Sequence, residues 1–162
     1  MNEMDTDGLI LCRMQAEIFE LSLKRESSSP VFIRRFMNSD AAARMDKVSF
    51  LNTSQSELQV LDEIEEAYHN KAYGTKKYDK EELYWMGYIY RYWAFTYGMK
   101  SRQIYPICNG GDLRRHYLFY HTLSPEKAIE RILEEKGYEP LDGEEMLFEK
   151  SESLIEEKLH IK

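Results

Sequence analysis

Apolar residues recur every three or four positions along most of the chain, which is the spacing of one face of an α-helix. No segment shows the clear alternation of apolar and polar residues that a half-buried β-strand requires. The pattern therefore predicts an all-α protein, a compact bundle of about six to eight helices. The first apolar stripe consists of Leu11, Met14, Ile18 and Leu21, on a helix over about 7–25. The other helices are expected at about 30–36, 39–45, 55–69, 79–98, 101–105, 112–120 and 124–136.

Polar residues that accept hydrogen bonds from the first backbone N–H groups are expected to start several of these helices. Ser29 precedes Pro30, and proline suits the first helical position because its missing N–H costs nothing there. Ser54 and Glu57 have the spacing of a capping box. The other expected N-caps are Ser39, Asp79, Asp112 and Ser124.

The segment LYWMGYIYRYWAFTY, residues 83–97, contains eight of the 21 aromatic residues of the chain. On a helix its large side chains point in nearly every direction, and only a narrow strip around Gly87, Arg91 and Gly98 is not large and apolar. Because a helix that is apolar nearly all round is buried, residues from about 79 to 98 are expected to form the central helix. The competing interpretation is a strand, since several tyrosines alternate along the segment and aromatic residues favour sheets.

The tyrosines of this segment raise a functional alternative. A buried tyrosine hydroxyl needs a hydrogen-bond partner, which a polar cleft would supply. A tyrosine-lined cleft beside Arg91, Arg114 and His116 would bind a planar or anionic ligand. The other interpretation is a solid structural core.

Charge is distributed unevenly along a chain whose formal net charge is −7. The segment 91–116 carries five arginines or lysines against one aspartate, whereas 137–162 carries eight acidic residues against three lysines. Such asymmetry suggests a basic patch and an acidic tail, although two solvated faces would show the same pattern. The candidate partner or ligand surface consists of Arg91, Arg102, Arg114, Arg115 and His116.

At 162 residues the chain has the length of one domain, which we place at 1–136 as a single helical domain. Glycine and proline residues then interrupt the pattern, and 137–162 is expected to be an acidic C-terminal extension. Leu154, Ile155 and Leu159 would line one more amphipathic helix there. Such a helix would pack on the body, bind a partner or fray.

No sequence motif assigns a catalytic, metal or cofactor site. The four histidines are scattered, and no zinc-ligand spacing, HExxH motif, EF-hand loop, phosphate loop or GxSxG motif occurs. We therefore expect no cofactor and no metal, and we name no catalytic residue. Cys12 and Cys108 are isolated thiols, which fits a reducing cytoplasm better than a disulfide scaffold. Neither a signal peptide nor a membrane span is expected.

The segment SPVFIRRFMNSDAAARMD invites a helix-turn-helix interpretation over about 30–46. Arg34, Arg35 and Arg44 would then contact DNA phosphates. The short second helix and the acidic net charge weigh against this interpretation, because neutralising phosphates takes a basic surface. In the alternative, the three arginines pair with acidic residues of the chain itself.

Three phrases carry a resemblance to a known family: FIRRFMNSDAAARMD (32–46), ELYWMGYIYRYWAFTYGMKSRQIY (82–105) and YHTLSPEKAIERILEEK (120–136). They resemble a bacterial family of small helical proteins that are often encoded beside a toxin and are antitoxin-like. The acidic extension lies outside the resemblance. What the resemblance implies is a cognate toxin as partner, with an ADP-ribosyltransferase-like protein as the neighbour. No residue role carries over.

The sequence thus predicts a cytoplasmic, non-enzymatic protein that binds another protein, with a toxin as the implied partner. Acidic proteins steer toward basic partners, which is compatible with this function. A DNA-binding or autoregulatory module is the first alternative, and a small-ligand binder or enzyme is the second. The sequence leaves open whether the protein forms a homo-oligomer.

Overall fold

The helical periodicity of the chain becomes eight α-helices in the computed structural model of the protein, which describes residues 1–138. Two short 3₁₀ segments, Ser22–Lys24 and Val48–Thr53, lie between them, and no strand occurs within residues 1–138. The all-α prediction is therefore confirmed. The helices are α1 (Thr6–Leu21), α2 (Ser29–Met37), α3 (Asp40–Met45), α4 (Glu57–Ala67), α5 (Lys80–Tyr97), α6 (Ser101–Ile104), α7 (Gly110–Tyr120) and α8 (Pro125–Glu135).

The predicted amphipathic helix near the C-terminus lies outside the described residues, together with Leu154, Ile155 and Leu159. Within residues 1–138, no helix is long and apolar enough to cross a membrane.

Three of the expected N-caps are wrong, by one, two and three residues. Ser28, not Ser29, caps α2, and its hydroxyl accepts a hydrogen bond from the Val31 backbone N–H. The Ser29 hydroxyl instead accepts from the backbone N–H of Tyr78, 2.9 Å away. Tertiary contact therefore decides which serine of the run starts the helix.

The two other corrections concern α4 and α7. Ser56, not Ser54, is the N-cap of α4, and its capping box is completed by Gln59. Ser54 instead has a left-handed backbone with φ of 58° at the end of the preceding 3₁₀ segment. Asn109, not Asp112, caps α7. The N-caps at Ser39, Asp79 and Ser124 are confirmed.

The aromatic segment forms α5, which is the central helix, so the strand interpretation is wrong. It packs most extensively on α1, and the two helices run antiparallel: the Asn2 N–H donates to the Thr96 carbonyl near one end, and Gly87 faces Gln15 further along. A Cβ atom at Gly87 would lie 2.7 Å from the Gln15 carbonyl oxygen. Only glycine allows this approach of the two backbones.

The aromatic side chains of α5 divide into a buried face and a half-buried row. Tyr90 and Trp93 are fully buried, and the Tyr90 hydroxyl donates to the Cys108 carbonyl at 2.6 Å. Edge contacts between rings continue the core from α5 to α1 and α2, through Phe19. The half-buried row consists of Tyr84, Tyr88, Tyr92 and Phe95.

Candidate functional site

Arg91 lies in the interior, on the strip of α5 that the sequence left without large apolar side chains. Its side chain is 1% exposed. The guanidinium donates from Nε to Gln15 Oε1 at 2.7 Å, from one terminal nitrogen to Asp46 Oδ1 at 2.7 Å, and from the other to Ser101 Oγ at 3.1 Å. Three segments of the chain are therefore tied to α5 through one side chain.

The Asp46 carboxylate accepts further hydrogen bonds besides the one from Arg91. Ser101 donates to it twice, from the backbone N–H at 3.0 Å and from the hydroxyl at 2.6 Å. Burial lowers the pKa of Arg91, and the neighbouring Asp46 carboxylate opposes that shift. Arg91 is thus a structural ion-pair partner, and at 1% exposure its side chain does not belong to the surface proposed for a partner or ligand.

The other members of the predicted basic surface lie on two helices. Arg102 is exposed on α6. On α7, Arg114 pairs with Glu82 at 3.1 Å and lies 4.5 Å from the ring centre of Tyr78. Its charge is therefore directed back toward the body of the protein.

Arg115 and His116 also lie on α7, where Arg115 is mostly exposed and pairs with Asp112 one turn earlier. The two ring nitrogens of His116 contact the Asp112 carbonyl and the Glu135 carboxylate, both at 2.7 Å. His116 therefore joins α7 to α8. Of the five predicted residues, Arg102 and Arg115 present their charge to solvent most openly.

Glu135 is the centre of this link between α7 and α8. The Tyr120 hydroxyl donates to the second oxygen of its carboxylate. That hydrogen bond, together with His116, lowers the pKa of Glu135. The contacts fix the orientation of the last two turns of α7.

The helix-turn-helix candidates are mostly engaged within the protein. Arg35 is buried, donates to the Lys71 carbonyl at 2.8 Å, and lies 4.2 Å from the ring centre of Tyr68. Arg44 pairs with Glu63 on α4. Arg34 alone of the three is exposed, so the three arginines do not form one basic face.

The last turns of α7 expose two large apolar side chains that sequence reasoning missed. Leu118 is 72% exposed and its neighbour Phe119 is 74% exposed. Leu123, 38% exposed, follows shortly after the helix. Helical geometry provided the signal, because at 100° per residue both positions point well away from Leu113, the buried apolar side chain of α7. We call Leu118, Phe119 and Leu123 the α7 patch.

Metal clusters and reactive thiols are the two kinds of chemical site at issue among the described residues. Within residues 1–138, no group of three or more histidine, cysteine, aspartate or glutamate side chains is placed to hold a metal ion. Cys12 and Cys108 are free and buried, and burial raises the pKa of each thiol to about 12. Because the thiolate is the reactive form, neither cysteine is activated.

Fold and surface together define an all-helical domain with a buried polar network and an exposed apolar helix face. No family model, curated protein or solved structure matches the chain. The resemblance of residues 32–136 to antitoxin-like proteins therefore stays a prediction.

Proposed function

We propose that this protein acts by binding another protein, without chemistry of its own, as the antitoxin of a toxin–antitoxin pair in the cytoplasm. The observation that carries protein binding is the α7 patch, where Leu118 and Phe119 are each more than 70% exposed side by side. Adjacent large apolar side chains at such exposure mark interaction sites more often than scattered ones do. The toxin as partner rests on the resemblance.

The α7 patch is suited to insertion into a partner's apolar groove. Fully burying a leucine or phenylalanine side chain contributes about 1.5–3 kcal/mol each. The helix that presents the patch is held in place, because Trp85 of α5 contacts the ring of Tyr117 edge-on at 5.7 Å and Glu135 of α8 binds His116. A rigid platform reduces the entropy lost on binding.

The charge balance indicates the chemistry of the partner. A net charge of −7 favours a basic protein, because long-range attraction raises the rate of encounter. The partner we propose is therefore a basic toxin with an apolar groove.

Co-expression with the product of the adjacent gene tests this proposal. We expect the protein to restore growth, and the two chains to co-elute from a sizing column at micromolar concentration. Separate elution at that concentration would refute the proposal.

Surface variants then test the α7 patch. The double variant Leu118→Ser and Phe119→Ser should weaken the complex strongly while the circular dichroism spectrum stays unchanged, since both side chains are solvent-exposed. Leu58→Ser on α4 is the matched control, because Leu58 is also an exposed apolar residue, at 54%. Equal affinities of the two variants would place the interface elsewhere, and loss of a self-complex would indicate a homo-oligomer.

The DNA-binding alternative is supported less well by residues 30–46. Arg35 is buried and Arg44 pairs with Glu63, which leaves Arg34 as the exposed cation. A gel shift with the protein's own promoter tests this alternative. Low salt is the condition most favourable to binding, because phosphate contacts weaken steeply as salt is added. No shift is expected.

A further inference from the structure

An open cleft of about 490 Å³ lies at the C-terminal end of α5. Its walls come from the N-terminal segment, the end of α3, the end of α5 and the start of α6. Ligand sites commonly have volumes of roughly 300–1,000 Å³, so the cleft is large enough for a small molecule. Four separate segments of the chain converge there.

Three basic side chains line this cleft: Lys47, Lys100 and Arg102. All three are exposed, and none forms an ion pair within residues 1–138. In a protein with a net charge of −7, three unpaired cations around one cleft form a local positive field that attracts anions. We call this site the α5–α6 cleft.

One carboxylate also lines the cleft, but its charge is already matched. Asp46 is bound by the buried Arg91 and by Ser101. An anionic group placed directly on Asp46 would still be repelled. The anion therefore belongs beside the three cations, with the uncharged part of the ligand toward the rest of the wall.

The rest of the wall is largely apolar. Val48 is exposed, Phe95 is half-buried, and the buried Ala94 and Met99 also line the cleft. Phe95 is the aromatic residue of this lining. A lining that combines three cations with apolar residues suits a ligand with a charged end and an apolar, planar end.

We propose that the α5–α6 cleft binds a small organic phosphate, with the phosphate beside Lys47, Lys100 and Arg102 and a planar group against Phe95. Three cations that line one cleft suit the double charge of a phosphate monoester better than the single charge of a carboxylate. The α7 patch contributes no residue to the cleft, so this proposal is independent of the proposed toxin binding.

Isothermal titration calorimetry on the full chain tests the proposal, with adenosine monophosphate as the probe. Inorganic phosphate and adenosine are the two comparison ligands. We expect the nucleotide to bind and each comparison ligand to bind at least about tenfold more weakly. Inorganic phosphate lacks the planar base, and adenosine lacks the phosphate. No binding of the nucleotide would overturn the proposal. If inorganic phosphate bound as tightly as the nucleotide, the cleft would recognise only an anion, and the planar half of the proposal would be wrong. If adenosine bound as tightly, the three cations would not contribute to binding, and the phosphate half would be wrong.

A pair of charge variants then locates the binding site. The double variant Lys100→Glu and Arg102→Glu should weaken nucleotide binding by about tenfold or more, because like charges then face the phosphate. Lys24→Glu is the matched control, since Lys24 is exposed and lies toward the opposite end of α5. Unchanged binding by the double variant, with a native circular dichroism spectrum, would refute the assignment of this cleft. If that double variant fails to fold, Arg102→Gln alone provides the same comparison.

Discussion

Replacing Arg91 by methionine should destabilise the protein severely while leaving its surface unchanged. Methionine is similar in length and fills the space with a flexible apolar chain. It removes all three hydrogen bonds that the guanidinium donates, to Gln15, Asp46 and Ser101. The variant therefore isolates the polar network from the packing around it.

The magnitude follows from what the substitution leaves behind. Removing one partner of a buried ion pair costs about 3–5 kcal/mol, because the other charge stays buried without compensation. Asp46 keeps two donors, both from Ser101, which favours the lower half of that range. Gln15 Oε1 would lose the N–H donor that Arg91 supplies, and Gln15 Nε2 already has no partner within residues 1–138. We expect the free energy of unfolding to fall by about 3–4 kcal/mol.

Urea unfolding followed by circular dichroism measures this loss. The double variant Arg91→Met and Asp46→Asn should be less destabilised than the sum of the two single variants, because it leaves no unpaired buried charge. Arg131→Met is the control, since the Arg131–Glu134 pair is 58% exposed on both sides and should contribute only about 0–1 kcal/mol.

Two results would refute this reasoning. A cost of Arg91→Met no larger than that of Arg131→Met would mean that the buried network contributes nothing beyond packing. Strict additivity of Arg91→Met and Asp46→Asn would mean that the two charges do not interact in solution.

Three further predictions concern the core. Gly87→Ala should lower the free energy of unfolding, measured in urea, by about 1–3 kcal/mol, because the added Cβ forces the packed helices apart. Gly111→Ala is the control: its Cβ would meet nothing closer than 3.6 Å, so the free energy of unfolding should stay the same or rise. Burial raises the pKa of the Cys12 and Cys108 thiols from 9.0 to about 12. Unfolded thiols therefore ionise first, and the free energy of unfolding should fall between pH 9 and pH 12 by about 1.4 kcal/mol per pH unit for each thiol. Tyr90→Phe should cost about 1–3 kcal/mol, since the Cys108 carbonyl loses its donor.

Each of these has a result that contradicts it. A native stability for Gly87→Ala would mean that α1 and α5 shift without cost. A flat stability between pH 9 and pH 12, or an identical slope after Cys12→Ala, would show that the folded thiols ionise as readily as the unfolded ones. An unchanged stability of Tyr90→Phe would mean that water replaces the lost donor.

The helices were largely predictable because their signal is local. Apolar spacing of three or four residues placed the elements, and the crowded aromatic segment placed α5 at the centre. Helix starts were less predictable where several capping residues stand together. Ser28 and Ser29 have the same capping chemistry, and the contact between Ser29 and the distant Tyr78 separates them.

The candidate surfaces were predictable only in part. The α7 patch follows from helical geometry once the buried position Leu113 is known. The α5–α6 cleft has no local signal, because Lys47 and Arg102 lie 55 positions apart and meet only when α3 packs near α6.

The amino-acid sequence by itself determined an all-helical protein, with its central helix and its uneven charge, because periodicity and composition act over a few residues. Tertiary structure alone decided the role of each charge. Arg91 and Arg102 look alike in the sequence, yet the first is buried against Asp46 and the second borders a cleft. The reason is physical: the energy of a charge depends on its solvation and its neighbours, and the neighbour of Arg91 is supplied from 45 positions away.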